Sequence, residues 1–412
     1  MKQSIEKKVI IVGAGPAGLM AAECAIAIGL KVDVYDAMPS VGRKFLLAGK
    51  SGMNLTHAEP HASFRQRYSD TSHQLEAALD QFPAQSIRDW AMGLGVDTFV
   101  GSSQRVFPVD MKAAPLLRSW LHRLRESGVQ FHMRHKWRGW MGDGHQFSSG
   151  EGEKNVTADA CIFALGGASW KRLGSDGAWA PVFEDQQIEV TPLEASNCGF
   201  DIAWTSYFKQ HFAGQALGTV NASVKTKNGV ASKRLGQFVI TETGIEGSLV
   251  YALSSQIRQQ LRESGQCMLE IDLLPGRDLS RVRQELAMPR GSRSLSSHLR
   301  SKLGLHPIHT ALVYESLTKE QIQDIEQLAH ALKALPLNLI RARPIDEAIS
   351  SAGGLGWDEL DDHFMLRKKP GHFCAGEMLD WDAPTGGYLL SACFATGLAA
   401  ANGVIAWLQQ QK

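Results

Sequence analysis

The chain has little net charge and few cysteines, and both shortages narrow its possible functions. Its 43 basic and 42 acidic side chains give a formal net charge of +1, so we expect no overall attraction to nucleic acid or to an anionic membrane. The six cysteines are isolated and form no C-x-x-C pair, which argues against a zinc ribbon or a thioredoxin-like dithiol. Isolated thiols are typical of a reducing compartment, so we predict a cytoplasmic protein with free cysteines.

The sequence also lacks a recognisable metal motif and a convincing membrane segment. Its histidines never take the H-E-x-x-H spacing, and we predict no metal site. Two apolar runs, 9–30 and 383–411, superficially resemble a signal peptide and a membrane span. Glycine and proline interrupt the first run and small or polar residues dilute the second, so we predict buried helices of a large α/β protein.

The strongest local signal lies near the start of the chain. We predict a buried strand at 8–12, a helix at 16–28 and a second strand at 31–35. A strand, a glycine-rich turn, a helix and a strand form one βαβ unit. The turn carries the G-x-G-x-x-G pattern, which is weak evidence alone but gains weight from this context.

Each glycine of that turn has a physical role in nucleotide binding. Gly13 permits the tight turn, Gly15 lets the backbone approach a pyrophosphate, and Gly18 lets the helix pack closely on the strand. The N-terminus of the helix attracts phosphates through its free N–H groups. Asp36 follows the second strand, where a carboxylate can accept hydrogen bonds from both ribose hydroxyls and repels a 2′-phosphate. The site therefore favours FAD or NAD over NADP.

Two further regions favour FAD over NAD. The glycines and polar residues of 42–56 suit a loop that passes close to a long ligand. Near the other end of the chain, a predicted strand at 373–375 leads to Glu377, and Gly386 and Gly387 open the last helix. Backbone N–H groups at such a helix start can stabilise negative charge on a reduced flavin. The predicted cofactor-binding residues are Gly13, Gly15, Pro16, Ala17, Gly18, Asp36, Ala37, Arg43, Lys44, Ser51, Asn54, Leu55, Thr56, Gly166, Gly167, Gly376, Glu377, Thr385, Gly386, Gly387 and Tyr388.

The same segments resemble a bacterial flavoprotein family with the FAD-binding fold of glutathione reductase, whose members include aminoacetone oxidases and a bile-acid reductase. The matching pieces are G-A-G-P-A-G-L at 13–19, G-R-K-F-L-L-A-G-K-S-G-M-N-L-T at 42–56, R-V-F-P at 105–108, A-L-G-G-A-S at 164–169, S-A-G-G-L at 351–355 and A-G-E-M-L-D-W-D-A-P-T-G-G-Y at 375–388. The resemblance spans nearly the whole chain. It implies an α/β FAD-binding Rossmann domain with an inserted β-barrel and a small helical subdomain.

The residue pattern along the chain agrees with that organisation. We place the discontinuous FAD-binding domain at 1–190 and 337–412, a β-rich, barrel-like insert at 191–275 and a helical insert at 276–336. Further predicted helices lie at 85–93, 112–127 and 388–408, and further strands at 160–165, 219–225, 236–241 and 268–271, with a β-meander between 131 and 160.

The predicted function is that of an FAD-dependent oxidoreductase that transfers hydride through flavin N5. A small organic substrate and NAD(P)H, or another acceptor, are the expected reaction partners. No second G-x-G-x-x-G follows a strand, so nicotinamide is expected to bind only transiently, as a reductant. An oxidase of small amines that uses O2 is the first alternative.

A flavoprotein that modifies or binds RNA is a weaker alternative. It rests on the segment 276–302, which holds seven basic and two acidic residues, and the neutral overall charge argues against it. We therefore expect no nucleic-acid and no membrane partner, and the oligomeric state stays open.

The sequence allows two roles for several single residues, and it identifies no catalytic residue. His57 and His211 are the histidines to test as acid or base groups. Arg105 could bind an acidic substrate or hold a loop. Trp381 could lie near the flavin or in the core, and Cys198 is expected to be a buried thiol.

Overall fold

The computed structural model describes residues 7–48, 52–69, 72–225 and 231–411. The chain divides into two compact units. The first combines Met1–Glu194 with Ile349–Lys412, and the second is Ala195–Ala348. The sequence placed these borders at 190 and 337 and divided the inserted part once more at 275.

The strands, numbered in chain order, are β1 Lys8–Val12, β2 Lys31–Asp36, β3 Thr56–His57, β4 Thr98–Val100, β5 Arg105–Pro108, β6 Gln130–Met133, β7 Lys136–Met141, β8 Gly144–Ser149, β9 Gly152–Val156, β10 Ala160–Phe163, β11 Val190–Ser196, β12 Phe200–Asp201, β13 Ala216–Lys225, β14 Ala231–Ile240, β15 Gly244–Glu246, β16 Cys267–Asp272, β17 Leu335–Leu339, β18 Arg341–Ala342, β19 Ser350–Leu355 and β20 His372–Cys374.

The α-helices are α1 Pro16–Ala27, α2 Arg43–Ala48, α3 His61–Arg65, α4 His73–Gln81, α5 Ala84–Gly93, α6 Ala113–Glu126, α7 Ala180–Glu184, α8 Ser206–Phe212, α9 Ser248–Ala252, α10 Ser254–Ser264, α11 Leu279–Leu286, α12 Leu295–Leu303, α13 Pro307–Ser316, α14 Lys319–Gln323, α15 Ile325–Lys333 and α16 Tyr388–Gln410. Short 3-10 helices lie at Lys171–Leu173, Ile345–Glu347, Trp357–Glu359 and Gly376–Met378.

A five-stranded parallel sheet organises the first unit. Its order is β20-β10-β1-β2-β6. The four residues from Val9 to Val12 are at most 2% exposed, as expected for a parallel strand covered on both faces. Because the strands are parallel, the chain leaves β1, β2, β6 and β10 at the same edge of the sheet, which is where ligands bind in folds of this kind.

Helix α16 packs against α1 in the core of the first unit. A Cβ at Gly397 of α16 would lie 2.3 Å from the Ala17 carbonyl oxygen of α1, so the two backbones touch. This helix is long and apolar enough to cross a membrane, but 67% of its most apolar window is buried inside the protein. The prediction of a core helix at this end of the chain is confirmed, and α1 confirms the same prediction for the run at 9–30.

Three smaller sheets complete the first unit. They are β3-β5-β4, the meander β7-β8-β9 and the pair β11-β19. The meander agrees with the prediction for 131–160. The segment 42–56 was read as a loop throughout, but it contains α2, because its apolar side chains Phe45, Leu46 and Leu47 favour a short helix.

The second unit is built on a seven-stranded sheet of order β17-β16-β13-β14-β15-β12-β18. The two strands at the ends of this order, β17 and β18, are separated along the chain by Ile340 alone. Helices α11–α15 lie within the predicted helical stretch. The reading of 191–275 as mostly β missed α8, α9 and α10. In α10, Ile257 and Leu261 are separated by three polar residues, and this i, i+4 spacing of apolar residues is typical of a helix.

Candidate functional site

A cavity of about 350 Å³ opens in the first unit beside the ends of the parallel strands. Segments that are far apart in the sequence form its walls. The predicted cofactor-binding residues among those that line it are Gly13, Gly15, Pro16, Ala17, Asp36, Ala37, Arg43, Lys44, Gly166, Gly376 and Glu377.

The glycine turn between β1 and α1 has the geometry expected of a phosphate-binding turn. Gly13 has a φ of 109°, and a Cβ there would lie 2.2 Å from the Ala164 carbonyl oxygen. At Gly18 a Cβ would lie 1.9 Å from the Gly13 carbonyl oxygen, so this glycine allows close packing without lining the cavity. At Gly15, by contrast, a Cβ would meet no atom within 4 Å. The backbone at Gly15 therefore faces open space that a ligand can approach.

Asp36 closes the turn from the second strand. Its two carboxylate oxygens accept hydrogen bonds from the backbone N–H groups of Ala14 and Met38, both at 2.7 Å. Burial raises the pKa of Asp36, and these two hydrogen bonds together with the nearby Arg43 oppose that rise. Each carboxylate oxygen can accept a further hydrogen bond, so the side chain can hold the turn and still bind a ribose.

Two polar atoms in the cavity wall are buried and have no partner among the described residues. They are Nε of Arg43 and Oγ of Ser175, and both residues line the cavity. Buried donors are rarely left without an acceptor, so they indicate a ligand that carries acceptor oxygens. Together with the open space at Gly15 and the carboxylate of Asp36, they fit the phosphates and ribose of a dinucleotide such as FAD.

A polar network crosses the cavity wall at Lys44. Its Nζ donates to Glu377 Oε2 at 2.6 Å and to Ser169 Oγ at 2.7 Å. The other oxygen of Glu377 accepts the backbone N–H of Ser351 at 3.0 Å. Lys44 was read as either a flavin contact or a solvated loop lysine; the structure makes it a partly buried member of an ion pair, with a side chain 22% exposed.

The hydroxyl of Ser351 ties the same network to the loop after β10. It accepts hydrogen bonds from the backbone N–H groups of Ala168 and Ser169 at 2.8 and 3.1 Å. A Cβ at Gly167 would lie 2.3 Å from this hydroxyl, so Gly167 supports the wall without lining the cavity. Ser169 and Ser351 were not predicted as site residues, although both belong to segments quoted for the family resemblance.

The remaining predicted residues do not line this cavity. They are Gly18, Asn54, Leu55, Thr56, Gly167, Thr385, Gly386, Gly387 and Tyr388, while Ser51 lies outside the described residues. Thr56 and Gly387 nevertheless meet, because a Cβ at Gly387 would lie 2.6 Å from Cα of Thr56. The Thr56 and Ser391 hydroxyls are 2.8 Å apart, so β3 is fixed against the start of α16.

A cluster of side chains surrounds Tyr388 at the start of α16. The Tyr388 hydroxyl donates to the carboxylate of Glu59, and the Arg67 guanidinium pairs with Glu59 at 2.6 Å. The ring of His57 stacks on that of Tyr388, with centroids 5.3 Å apart. Burial lowers the pKa of His57, with Glu59 opposing that effect, and Arg105 lies opposite His57 in the β3–β5 register. Neither His57 nor Arg105 lines the cavity.

The structure also places the other residues that the sequence singled out, Trp381, Cys198 and His211. Trp381 is a core side chain, 2% exposed, whose indole N–H donates to the carbonyl of Gly376 at 3.0 Å. Cys198 is a buried thiol, as predicted. His211 is exposed on the second unit, and its ring stacks on Tyr207.

Sequence reasoning missed part of the cavity wall. The unpredicted polar or aromatic residues among the lining set are Ser40, Phe45, His135, Lys136, Trp137, Lys171, Ser175, Asp176 and Trp179. His135 lies two residues after the end of β6 and Lys136 begins β7, and the His135 N–H donates to the Asp36 carbonyl oxygen at 2.9 Å. The rule that ligands bind at the carboxyl ends of parallel strands would have identified these two residues, had β6 been recognised as a strand of the sheet.

Comparisons with known proteins agree with this geometry. A family model described as HI0933-like protein Rossmann domain matches residues 7–403. A 3-dehydro-bile acid delta(4,6)-reductase from Clostridium scindens is 24% identical over 405 residues, which are 95% of this chain and 97% of that protein. A ribosomal RNA dihydrouridine synthase from Escherichia coli K12 is 24% identical over 406 residues, 96% of this chain and 98% of that protein.

Among solved structures, a 3-ketosteroid delta1-dehydrogenase from Sterolibacterium denitrificans matches with a TM-score of 0.53 at 12% identity. The match covers 97% of this chain and 100% of that one. At this level of identity the likeness concerns the fold.

Proposed function

The chain belongs to the HI0933-like Rossmann-domain family, and we propose that, as an FAD-dependent oxidoreductase, it reduces a carbon–carbon double bond conjugated to a carbonyl group. The observation that carries this proposal is the cavity at the strand ends, where open backbone at Gly15, the Asp36 carboxylate and the unpartnered donors of Arg43 and Ser175 converge. FAD bound there supplies hydride transfer at its N5 position.

Different residues of the cavity bind different parts of FAD. The N–H groups at the start of α1 bind the pyrophosphate, and Asp36 binds the adenosine ribose. The Nε of Arg43 and the hydroxyl of Ser175 donate to ligand oxygens. Glu377, held by Lys44 and Ser351, orients the part of the cofactor between the pyrophosphate and the ring.

The start of α16 is the second part of the proposed site. Gly386 and Gly387 have φ values of 137° and 92°, which only glycine adopts readily. Their N–H groups and the positive end of α16 stabilise negative charge on the reduced ring. Asn54, whose buried Oδ1 has no partner among the described residues, accepts a hydrogen bond from the ligand. Thr56 holds the start of α16 in place.

The reaction class rests on what the two sequence relatives have in common. The name of one describes the reduction of steroid double bonds, and that of the other describes the conversion of uridine into dihydrouridine. Both reactions add hydrogen across a carbon–carbon double bond. In the proposed reaction, NAD(P)H loses a hydride, the carbon β to the carbonyl gains it, and the carbon α to the carbonyl takes a proton from solvent. We also propose that the sheet of the second unit has a barrel-like shape and that the protein is cytoplasmic.

Anaerobic mixing of the FAD-loaded protein with NADPH, and separately with NADH, tests the donor side. We expect one of the two to bleach the visible band of oxidised flavin quickly. If neither does so, and a small amine bleaches the band while air restores it with release of peroxide, the protein is an oxidase and the proposed reductase function is wrong.

A further inference from the structure

A second cavity, of about 370 Å³, lies entirely within the second unit. Helices α8, α12 and α13 supply most of its wall. Its floor contains the buried side chains of Phe208 and Leu305. Two tyrosines at its rim are unusually exposed for their size: Tyr207 is 63% and Tyr314 is 54% exposed. His211 already stacks on one face of the Tyr207 ring, so a flat ligand ring can stack on the other face of Tyr207 and on Tyr314.

Polar groups in the same cavity suit an anion. Ser296 and Ser297 lie in the first turn of α12, and Pro307 is the first residue of α13, so two helix N-termini direct their partial positive charge toward the cavity. The side chain of Thr310 is also part of the wall. Thr310 is 3% exposed, and its hydroxyl has no hydrogen-bond partner among the described residues. A buried hydroxyl left without a partner points to a ligand.

The wall of this cavity holds one cation, Arg300, and one anion, Glu315, and the carboxylate of Glu315 is already hydrogen-bonded. Arg300 lines the cavity, and within 4.0 Å of Arg290, Arg293, Arg300 and Lys302 the described part of the chain places no carboxylate. The three preceding arginines of this segment, Arg277, Arg281 and Arg283, are instead paired with acidic side chains. Glu315 is the acidic residue in the wall, and its carboxylate already accepts hydrogen bonds from the N–H and hydroxyl of Thr205.

We propose that this cavity is a nucleotide-binding site. The base stacks on Tyr207 and Tyr314, and the phosphate binds Arg300, Thr310 and the N-termini of α12 and α13. The ligand is either a nucleotide within single-stranded RNA or a free nucleotide such as NADP+, since both present a flat ring and a phosphate. The low net charge of the chain argued against nucleic acid, but that charge is a sum over both units. In the wall of this cavity, the Arg300 guanidinium has no carboxylate within 4.0 Å among the described residues. The proposal does not depend on the reductase function.

Fluorescence anisotropy of a labelled oligouridylate, with the oxidised FAD-loaded protein, tests the proposal. AMP, NADP+ and inorganic phosphate serve as competitors. Tyr207→Ala/Tyr314→Ala should weaken RNA binding about tenfold or more, because stacking of each base contributes substantially. Arg300→Gln should weaken binding and reduce its salt dependence by about one phosphate contact. Thr310→Val keeps the shape of the side chain and removes only the hydroxyl, so a weaker complex would locate the ligand at that atom.

Two control variants carry matched changes elsewhere in the second unit. Arg234→Gln removes the same charge, and Leu235→Ala removes an exposed apolar side chain of β14 that is 63% exposed; both should bind like the unaltered protein. RNA binding that NADP+ cannot displace would identify the strand as the ligand, whereas binding of NADP+ alone, sensitive to the cavity variants, would identify the free nucleotide. The proposal is overturned if neither probe binds at low salt, or if the cavity variants and the controls bind equally well.

Discussion

At the scale of single residues, the two glycines of the first turn have different tasks. Gly13 is fixed by the protein itself, because a Cβ there would overlap the carbonyl oxygen of Ala164 at 2.2 Å. At Gly15 a Cβ would meet no atom within 4 Å, so packing within the protein does not require a glycine there. The sequence pattern predicted both roles, but the partners of Lys44 could not be read from it, since Glu377 and Ser351 approach Lys44 only through the fold.

Gly15→Val should therefore abolish FAD binding without unfolding the protein. The valine side chain would occupy the space that the pyrophosphate needs, while its Cβ would meet no atom of the protein within 4 Å. Gly218→Val is the matched control, because a Cβ at Gly218 also meets nothing within 4 Å. Flavin content after purification and the melting temperature of the apoprotein check both expectations. A Gly15→Val protein that keeps its flavin would place the pyrophosphate elsewhere.

Lys44 and Glu377 should act as a coupled pair in FAD binding. Glu377→Gln keeps an acceptor for the Ser351 N–H but leaves Lys44 without its anion. Lys44→Met leaves the Glu377 carboxylate without its cation. Either change should weaken FAD binding, and the double variant should lose less than the two single losses combined, with a coupling energy of about 0.5–3 kcal/mol. Titration of the four apoproteins with FAD measures this energy. Strictly additive losses would mean that the two side chains contact the cofactor independently.

At the scale of helices and strands, hydrophobic periodicity succeeded where an element is long or fully buried. The strand predicted at 8–12 is β1 with the same limits, and the closing helix predicted at 388–408 is α16 with two more residues at its end. Two short elements were not predicted. β6 has four residues and α8 has seven, which are too few to show a hydrophobic periodicity. Their absence from the prediction is why part of both cavities was missed.

His145 of β8 should make the first unit sensitive to acid. It packs against His372 of β20, with ring centroids 5.1 Å apart, and burial, with a smaller contribution from His372, lowers the pKa of His145 to about 3. The unfolded chain takes up this proton near pH 6.5, so the free energy of unfolding should decrease as pH falls from about 6.5 toward 3, by up to about 1.4 kcal/mol per pH unit.

Melting temperatures measured between pH 7 and pH 5 test this expectation. His145→Phe removes the titrating group and an Nδ1 atom that has no partner among the described residues, so its melting temperature should fall less steeply with acid. The control is His122→Gln, which changes a histidine whose side chain is 73% exposed. Equal slopes for all three proteins would show that His145 does not control acid stability.

At the scale of the whole molecule, the sequence motifs that line the cavity of the first unit come from both ends of the chain. The first unit is interrupted by Ala195–Ala348, yet Gly13 and Asp36 meet Gly376 and Glu377 around one cavity. The FAD-binding Rossmann fold and the cofactor could be predicted because each local motif implies the same ligand. The substrate could not, because no residue pattern describes a pocket that only the folded chain creates.

The most direct test of the central claim is the reoxidation of the reduced holoenzyme. The protein is reduced without oxygen, excess reductant is removed, and its flavin absorption is followed after addition of a conjugated enone, a uridine-containing RNA or a small saturated ketone. The account predicts that a compound with a conjugated double bond restores the oxidised band and leaves as its saturated product in equal amount, while the saturated ketone has no effect. A flavin that no conjugated acceptor reoxidises, but that oxygen reoxidises at once with release of peroxide, would contradict it.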